Sequence, residues 1–250
     1  MKKSLSAYKR ISVIGAGGKT TLCRALFRCL PGRSVYLTTT HMHPPGEAPL
    51  ILLPPGAEGT PLLERILREG NAALSAPLRE GKCACPGAEA CREAGKLCDR
   101  LIVEADGAKG RLVKLCGPHE PVLPADTDLT VWVVSAEALG LPLSEAVHRP
   151  ERIPEVLSKD PGEPAEIGDL VLAALDGKKR GRGDFVCAVN RAEGETGRRI
   201  VKAMEEAGLA AVALPELEPG NRALRHRMLP LPLLETVYSE FEHGIAGKEF

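Results

Sequence analysis

At 250 residues the chain is long enough for one α/β domain with a substantial core, or for one domain with a small appendage. Its 33 Lys plus Arg balance 33 Asp plus Glu, and it has only four Phe, three Tyr and one Trp; bulk attraction to nucleic acid or anionic membrane, and a base-stacking surface, are therefore not expected. No apolar run approaches the ~20 residues of a membrane span, and the basic start Met1-Lys2-Lys3-Ser4-Leu5 leads into no signal-like stretch, so the expected location is the cytoplasm.

Ile11-Ser12-Val13-Ile14 reads as a buried strand that runs into a glycine-rich loop. Residues 20–30 follow with helical periodicity, stopped by Pro31-Gly32, and Ser34-Val35-Tyr36-Leu37 is a second strand. Residues 41–61 are Pro- and Gly-rich around the apolar run Leu50-Ile51-Leu52-Leu53, with helices expected over 62–69 and from Pro86 to near Asp99. Leu101-Ile102-Val103 is a buried strand. Residues 108–128 read as irregular, residues 129–134 as a strand, and residues 143–180 as two or three short helices. A strand at 185–190, a helix at 195–207 and a short strand at 210–214 close the pattern, with a C-terminal extension beyond. The alternation predicts an α/β fold, a mostly parallel sheet with helices on both faces in one P-loop NTPase-like domain.

Gly15-Ala16-Gly17-Gly18-Lys19-Thr20-Thr21 joins the first strand to the first helix. Glycines let backbone N–H groups converge on an anion, and the helix N-terminus adds its dipole. Lys19 then reaches the β/γ-phosphates and Thr20 offers its hydroxyl to Mg²⁺. The match to G-x-x-x-x-G-K-[ST] is incomplete, because Val13 stands where the first Gly belongs. A bland alternative is a tight turn whose Lys faces water.

The strand at 101–103 ends in Glu104-Ala105-Asp106-Gly107. A carboxylate there sits beside the phosphate loop and holds Mg²⁺; Asp106 is the first choice and Glu104 the second. Lys19 and Asp106, with the metal, are the expected catalytic groups, with ATP or GTP as the nucleotide. Thr39 and Thr40, after the second strand, are candidates to position water or sense the γ-phosphate; equally, their hydroxyls satisfy turn backbone.

In a cytoplasmic setting the eight Cys are expected as thiols, metal ligands or core residues. Cys83, Cys85, Cys91 and Cys98 invite a zinc or iron–sulfur reading. If residues 87–98 form one helix, Cys91 and Cys98 lie ~10.5 Å apart along its axis, too far to share one ion. Buried thiols are the favoured reading. Cys116 and His119 lie in the irregular stretch, where a thiol could handle selenium or sulfur, although a loop Cys with no special chemistry is the favoured reading. His41 and His43 alternate on one face and weakly suggest a ligand pair.

The phosphate loop, Thr38-Thr39-Thr40-His41, and Val103-Glu104-Ala105-Asp106-Gly107-Ala108-Lys109-Gly110-Arg111 resemble the YqeC-type proteins, as do Lys114, His119-Glu120-Pro121-Val122, Ala138-Leu139-Gly140 and Val147-His148-Arg149-Pro150. The resemblance spans roughly residues 10–215. It implies a metallochaperone-like branch of the P-loop NTPases and an accessory role in maturing a selenium-dependent molybdenum hydroxylase, with that hydroxylase or its maturation proteins as partners. Asn190-Arg191-Ala192-Glu193 stands where relatives carry an Asn-Lys-x-Asp-like stretch, so Asn190 and Glu193 are candidate base contacts, and the choice of ATP or GTP stays open.

Overall fold

A computed structural model describes residues 4–42, 49–53, 60–78, 82–214, 231–246 and 248. The first half of the chain builds β1 (Arg10–Gly15), α1 (Lys19–Cys29), β2 (Ser34–Thr38), β3 (His41–Met42), β4 (Leu50–Leu52), α2 (Thr60–Glu69), β5 (Ala72–Pro77), β6 (Cys83–Ala84), α3 (Ala88–Leu97) and β7 (Arg100–Glu104). The second half builds β8 (Val113–Lys114), β9 (Leu129–Ser135), α4 (Leu143–Ala146), β10 (Val147–His148), α5 (Ile153–Leu157), α6 (Ile167–Lys178), β11 (Asp184–Asn190), α7 (Gly194–Glu206), β12 (Ala210–Ala213) and α8 (Leu231–Ile245).

The main sheet runs β12-β11-β9-β1-β7-β2-β5-β6-β3, with β4 also on β5. Every pairing from β12 to β5 is parallel; among the described residues the small β6 alone runs the other way, antiparallel to both β5 and β3. Parallel strands need both faces covered, and the side chains divide accordingly with period two. Ile11, Val13, Val131, Val133, Val186 and Ala188 pack with Leu22, Leu26 and Phe27 of α1 and Val237, Phe241 and Ile245 of α8. Ile14, Trp132, Val134, Cys187 and Val189 face the opposite way, onto a core that includes Leu63 and Leu67 of α2, Ala94 of α3, Leu170 and Ala173 of α6, and Ile200 and Met204 of α7. The molecule is thus α/β, with a mostly parallel sheet between helices, as the alternating pattern predicts for a P-loop NTPase-like fold.

Several elements depart from the sequence expectation. Ala72-Ala73-Leu74-Ser75-Ala76-Pro77 has no β-branched residue, yet it forms β5, because β2 and β4 pair with it on either side. The apolar residues Val237, Phe241 and Ile245 recur every fourth position and carry α8, an element not expected beyond residue 214. Residues 108–128 are irregular only in part: β8 pairs in parallel with β10 in a second, two-stranded sheet, and Leu112, Leu115 and Cys116 are buried. Of the expected insertion at 41–61, residues 43–48 and 54–59 lie outside the described residues, and His43 with them. Among the described residues no helix is long and apolar enough to cross a membrane.

Candidate functional site

β1 sits between β7 and β9, and its parallel register with β7 aligns Val13 with Glu104. The glycine loop after β1 and the acids after β7 therefore reach the same sheet edge. Val13 is a strand residue, so the loop is shorter than G-x-x-x-x-G-K-[ST] requires, and Ala16, Gly17 and Gly18 alone make the turn into α1. Gly17 and Gly18 adopt φ of +73° and +142°, where side chains are strained. A Cβ on Gly18 would lie 2.5 Å from the Asn190 amide nitrogen, and one on Gly17 would lie 2.7 Å from Ser135 Cβ. No side chain caps the start of α1, so its first N–H groups are left for other acceptors.

The two acids have different partners. Asp106 is fully buried; its Oδ2 accepts from the Gly15 N–H at 2.9 Å and its Oδ1 lies 3.1 Å from Lys19 Nζ. Lys19 also donates to the Gly15 carbonyl at 2.6 Å. Burial works against its ammonium, but Asp106 and Glu104 outweigh this and raise its pKa above the ordinary value. Glu104 is the carboxylate that meets Thr20: the hydroxyl donates to both its oxygens at 3.2 Å, and Tyr36 donates a further bond at 2.8 Å. Burial pushes the Glu104 pKa up, against the pull of Lys19, Tyr36 and Thr20. A hydroxyl and a carboxylate 3.2 Å apart suit Mg²⁺, whose neighbouring ligand oxygens lie ~2.9 Å apart in an octahedral shell with bonds of ~2.0–2.1 Å. The first-choice metal acid, Asp106, is instead engaged by the loop and its lysine.

A cavity of 690 Å³ opens over this loop, within the range of small-molecule sites. Gly17, Gly18, Lys19, Thr20, Thr21 and Glu104 line one end. Elsewhere Lys82, Lys109, Arg111, Arg149 and Arg191 line it, against one further acid, Glu120, so the cavity favours anions. Among the described residues four non-glycine residues have positive φ, and three of them, Lys109, Arg149 and Arg191, are cations on this wall. Such backbone conformations persist where the surroundings over-determine them, often at ligand sites.

The remaining candidates fall in different places. The Asn190 amide donates to the Gly17 carbonyl at 2.7 Å, so it buttresses the phosphate loop. Glu193 is exposed ahead of α7 and does not line the cavity. Thr39 donates to the Val122 carbonyl at 2.7 Å, and the Thr40 N–H donates to the Thr38 hydroxyl at 3.0 Å; neither side chain lines the cavity. Cys83, Cys91 and Cys98 are buried, with Cys91 inside α3 and Cys98 at its C-terminal cap. Cys116 is also buried, and burial, with Asp106 and Asp176 nearby, pushes its thiol up to about 12, leaving it protonated at neutral pH. Lys109, Glu120, His148 and Arg149, which the sequence offers only within the motifs of the family resemblance and with no assigned role, also line the cavity. For Lys109 the signal was the run Gly107-Ala108-Lys109-Gly110-Arg111, which sets two cations among glycines directly after the acids.

The YqeC protein family model matches residues 11–151, which contain the phosphate loop, both acids, β8 and β10. A relative in Escherichia coli (strain K12), described as "Uncharacterized protein YqeC", is 32% identical over 182 residues, covering 67% of this chain and 69% of the relative. With more than half its length inside the family match, and this relative covered over two thirds, the chain belongs to the YqeC family.

Proposed function

We propose that this protein binds a nucleoside triphosphate with Mg²⁺ over the glycine loop, hydrolyses it slowly, and serves as an accessory to the maturation of a selenium-dependent molybdenum hydroxylase. The observation that carries the nucleotide reading is the Thr20–Glu104 pair, set beside a glycine-rich loop and a buried lysine at the C-terminal edge of adjacent parallel strands. In this reading the N–H groups opening α1 hold phosphate oxygens, and Lys19 shares its charge between phosphate and Asp106. Asp106 positions the loop through the Gly15 N–H and keeps Lys19 charged. Thr20 and Glu104 would hold Mg²⁺, which supplies charge stabilisation to the transferring phosphoryl group. The accessory role rests on the family resemblance of the motifs.

Calorimetry with ATP, GTP and their non-hydrolysable analogues, with and without Mg²⁺, tests the nucleotide reading. Saturable binding strengthened by Mg²⁺ is expected; absence of binding to every triphosphate removes it. Phosphate release under the same conditions separates a slow hydrolase from a nucleotide-regulated carrier. For the accessory role, deletion of the gene should lower hydroxylase activity without lowering hydroxylase polypeptide, and unchanged activity would sink it.

A further inference from the structure

The cavity has a second end, built on the β8–β10 ribbon. Leu112, immediately before β8, brings its carbonyl to 3.1 Å from where a Gly17 side chain would start. His148 pairs with Lys114, two residues further on, hence about 6–7 Å along the strand at ~3.3 Å per residue. The two ends are therefore neighbours in one space. Lys114 is fully buried; its ammonium donates to the Gly107 carbonyl at 2.5 Å and lies 3.0 Å from Glu120. Arg149 donates to the same Glu120 oxygen at 2.8 Å. Arg149 also lies 3.6 Å from Glu151, and Lys109 and His148 line the cavity beside this cluster, so with Lys109 three cations face two carboxylates. Among the described residues neither the Lys109 ammonium nor the His148 imidazole has a hydrogen-bond partner. The left-handed backbone at Lys109 and Arg149, with φ of 47° and 71°, holds both on the wall at a conformational cost.

We propose that this end of the cavity is a second anion site, contacted by Lys109, His148 and Arg149, that takes the oxyanion group of a small second ligand beside the nucleotide. The site rests on the phosphate-loop reading only for its neighbour; its own cations stand apart from the loop. The excess positive charge is what an oxyanion would neutralise. The same charge acts on His148: burial first, then Lys114, with Arg149 and Lys109 adding and Glu120 opposing, lowers its pKa to about 4. An anion placed there opposes that push, so the imidazole pKa rises as the anion binds.

Sulfate is a suitable probe because it stays a dianion across the working pH range, and acetate in parallel distinguishes a tetrahedral dianion from a carboxylate. Imidazole resonances, with His148 assigned by its loss in His148→Gln, are followed by NMR as sulfate is added. The protein is used alone and saturated with Mg²⁺ and a non-hydrolysable triphosphate. A saturating response at His148 is expected in both states, with its pKa rising by about one unit or more. Lys109→Ala, at an exposed position, should weaken sulfate by about fivefold or more. Sulfate that leaves His148 unmoved, that the triphosphate displaces, or that binds Lys109→Ala as tightly as the parent overturns the proposal. Sulfate shifting His148 in a protein that binds no triphosphate would instead support this site and remove the nucleotide reading.

Discussion

Asn190 and Gly18 provide a test of how the loop is held. Gly18→Ala places a methyl at φ +142°, 2.5 Å from the Asn190 amide nitrogen. The backbone strain costs roughly 1–3 kcal/mol. The amide must also turn away, losing its 2.7 Å bond to the Gly17 carbonyl, worth roughly 0.5–1.5 kcal/mol. Asn190→Ala alone loses that same bond and no more, about 1 kcal/mol. In the double variant the bond is lost only once and the methyl meets only the Cβ of position 190, 3.3 Å away. Its destabilisation should therefore fall short of the sum of the singles by about 1 kcal/mol, well above the ~0.3–0.5 kcal/mol scatter of independent sites. Urea unfolding of the four proteins measures this coupling directly. Additivity within scatter would show that Asn190 does not bear on the loop, and the reasoning would fail.

The other predictions are these. Lys19→Ala should weaken triphosphate binding tenfold or more, and should also destabilise the free protein by about 3–5 kcal/mol, because Asp106 is left buried without its cation; a variant as stable as the parent would contradict the ion pair. Glu120 is held down to about 2, below its ordinary 4.5: burial opposes this, but bonds from Arg149, the Gly117 N–H and Lys114 outweigh it. Its charge therefore stabilises the fold above about pH 4.5, and that stability is lost as pH falls through about 2. The stability gap between parent and Glu120→Gln should accordingly be wide at pH 7 and close on acidification; a pH-independent gap rules this out. The bond from the Cys91 thiol, helped by the Gly87 N–H and opposed by burial, lowers the Cys85 thiol below its ordinary value. Brief iodoacetamide treatment at neutral pH should label Cys85 before buried Cys23 and Cys187, and protein purified anaerobically should hold no stoichiometric zinc or iron. Mass spectrometry showing Cys187 labelled first, or metal analysis giving one equivalent, would overturn this.

Much of the frame was legible because buried parallel strands announce themselves: Ile11–Ile14, Leu101–Val103 and Phe185–Val189 are short apolar runs bounded by turn residues. Strand β5 was not, since Ala72–Ala76 carries no strand signal and owes its state to its neighbours in the sheet. At the site, the glycines, Lys19 and Thr20 could be read from spacing. Which acid meets Thr20 could not: residues 104 and 106 point the same way by strand periodicity, and the strand's end at Glu104 decides between them. Asn190 reads from the sequence as a base contact, and its bond to the Gly17 carbonyl is seen only once the fold brings together two residues 173 apart in sequence. His148 and Arg149 join the cavity only through the pairing of two two-residue strands, too short for any periodicity to predict.

The central claim is that Thr20 and Glu104 form a Mg²⁺ site for a bound triphosphate. Calorimetry of a non-hydrolysable ATP or GTP analogue, with and without Mg²⁺, on the parent, Glu104→Gln and Asp106→Asn proteins tests it most directly. In the parent Mg²⁺ should strengthen binding. In Glu104→Gln the nucleotide should still bind through the loop N–H groups and Lys19, but the Mg²⁺ enhancement should vanish, because a hard cation loses its only anionic protein ligand. Asp106→Asn should weaken binding with and without Mg²⁺ alike, since it loosens Lys19 and the loop. A Glu104→Gln protein with the parent's full Mg²⁺ enhancement, or a parent that binds no triphosphate, would contradict the account.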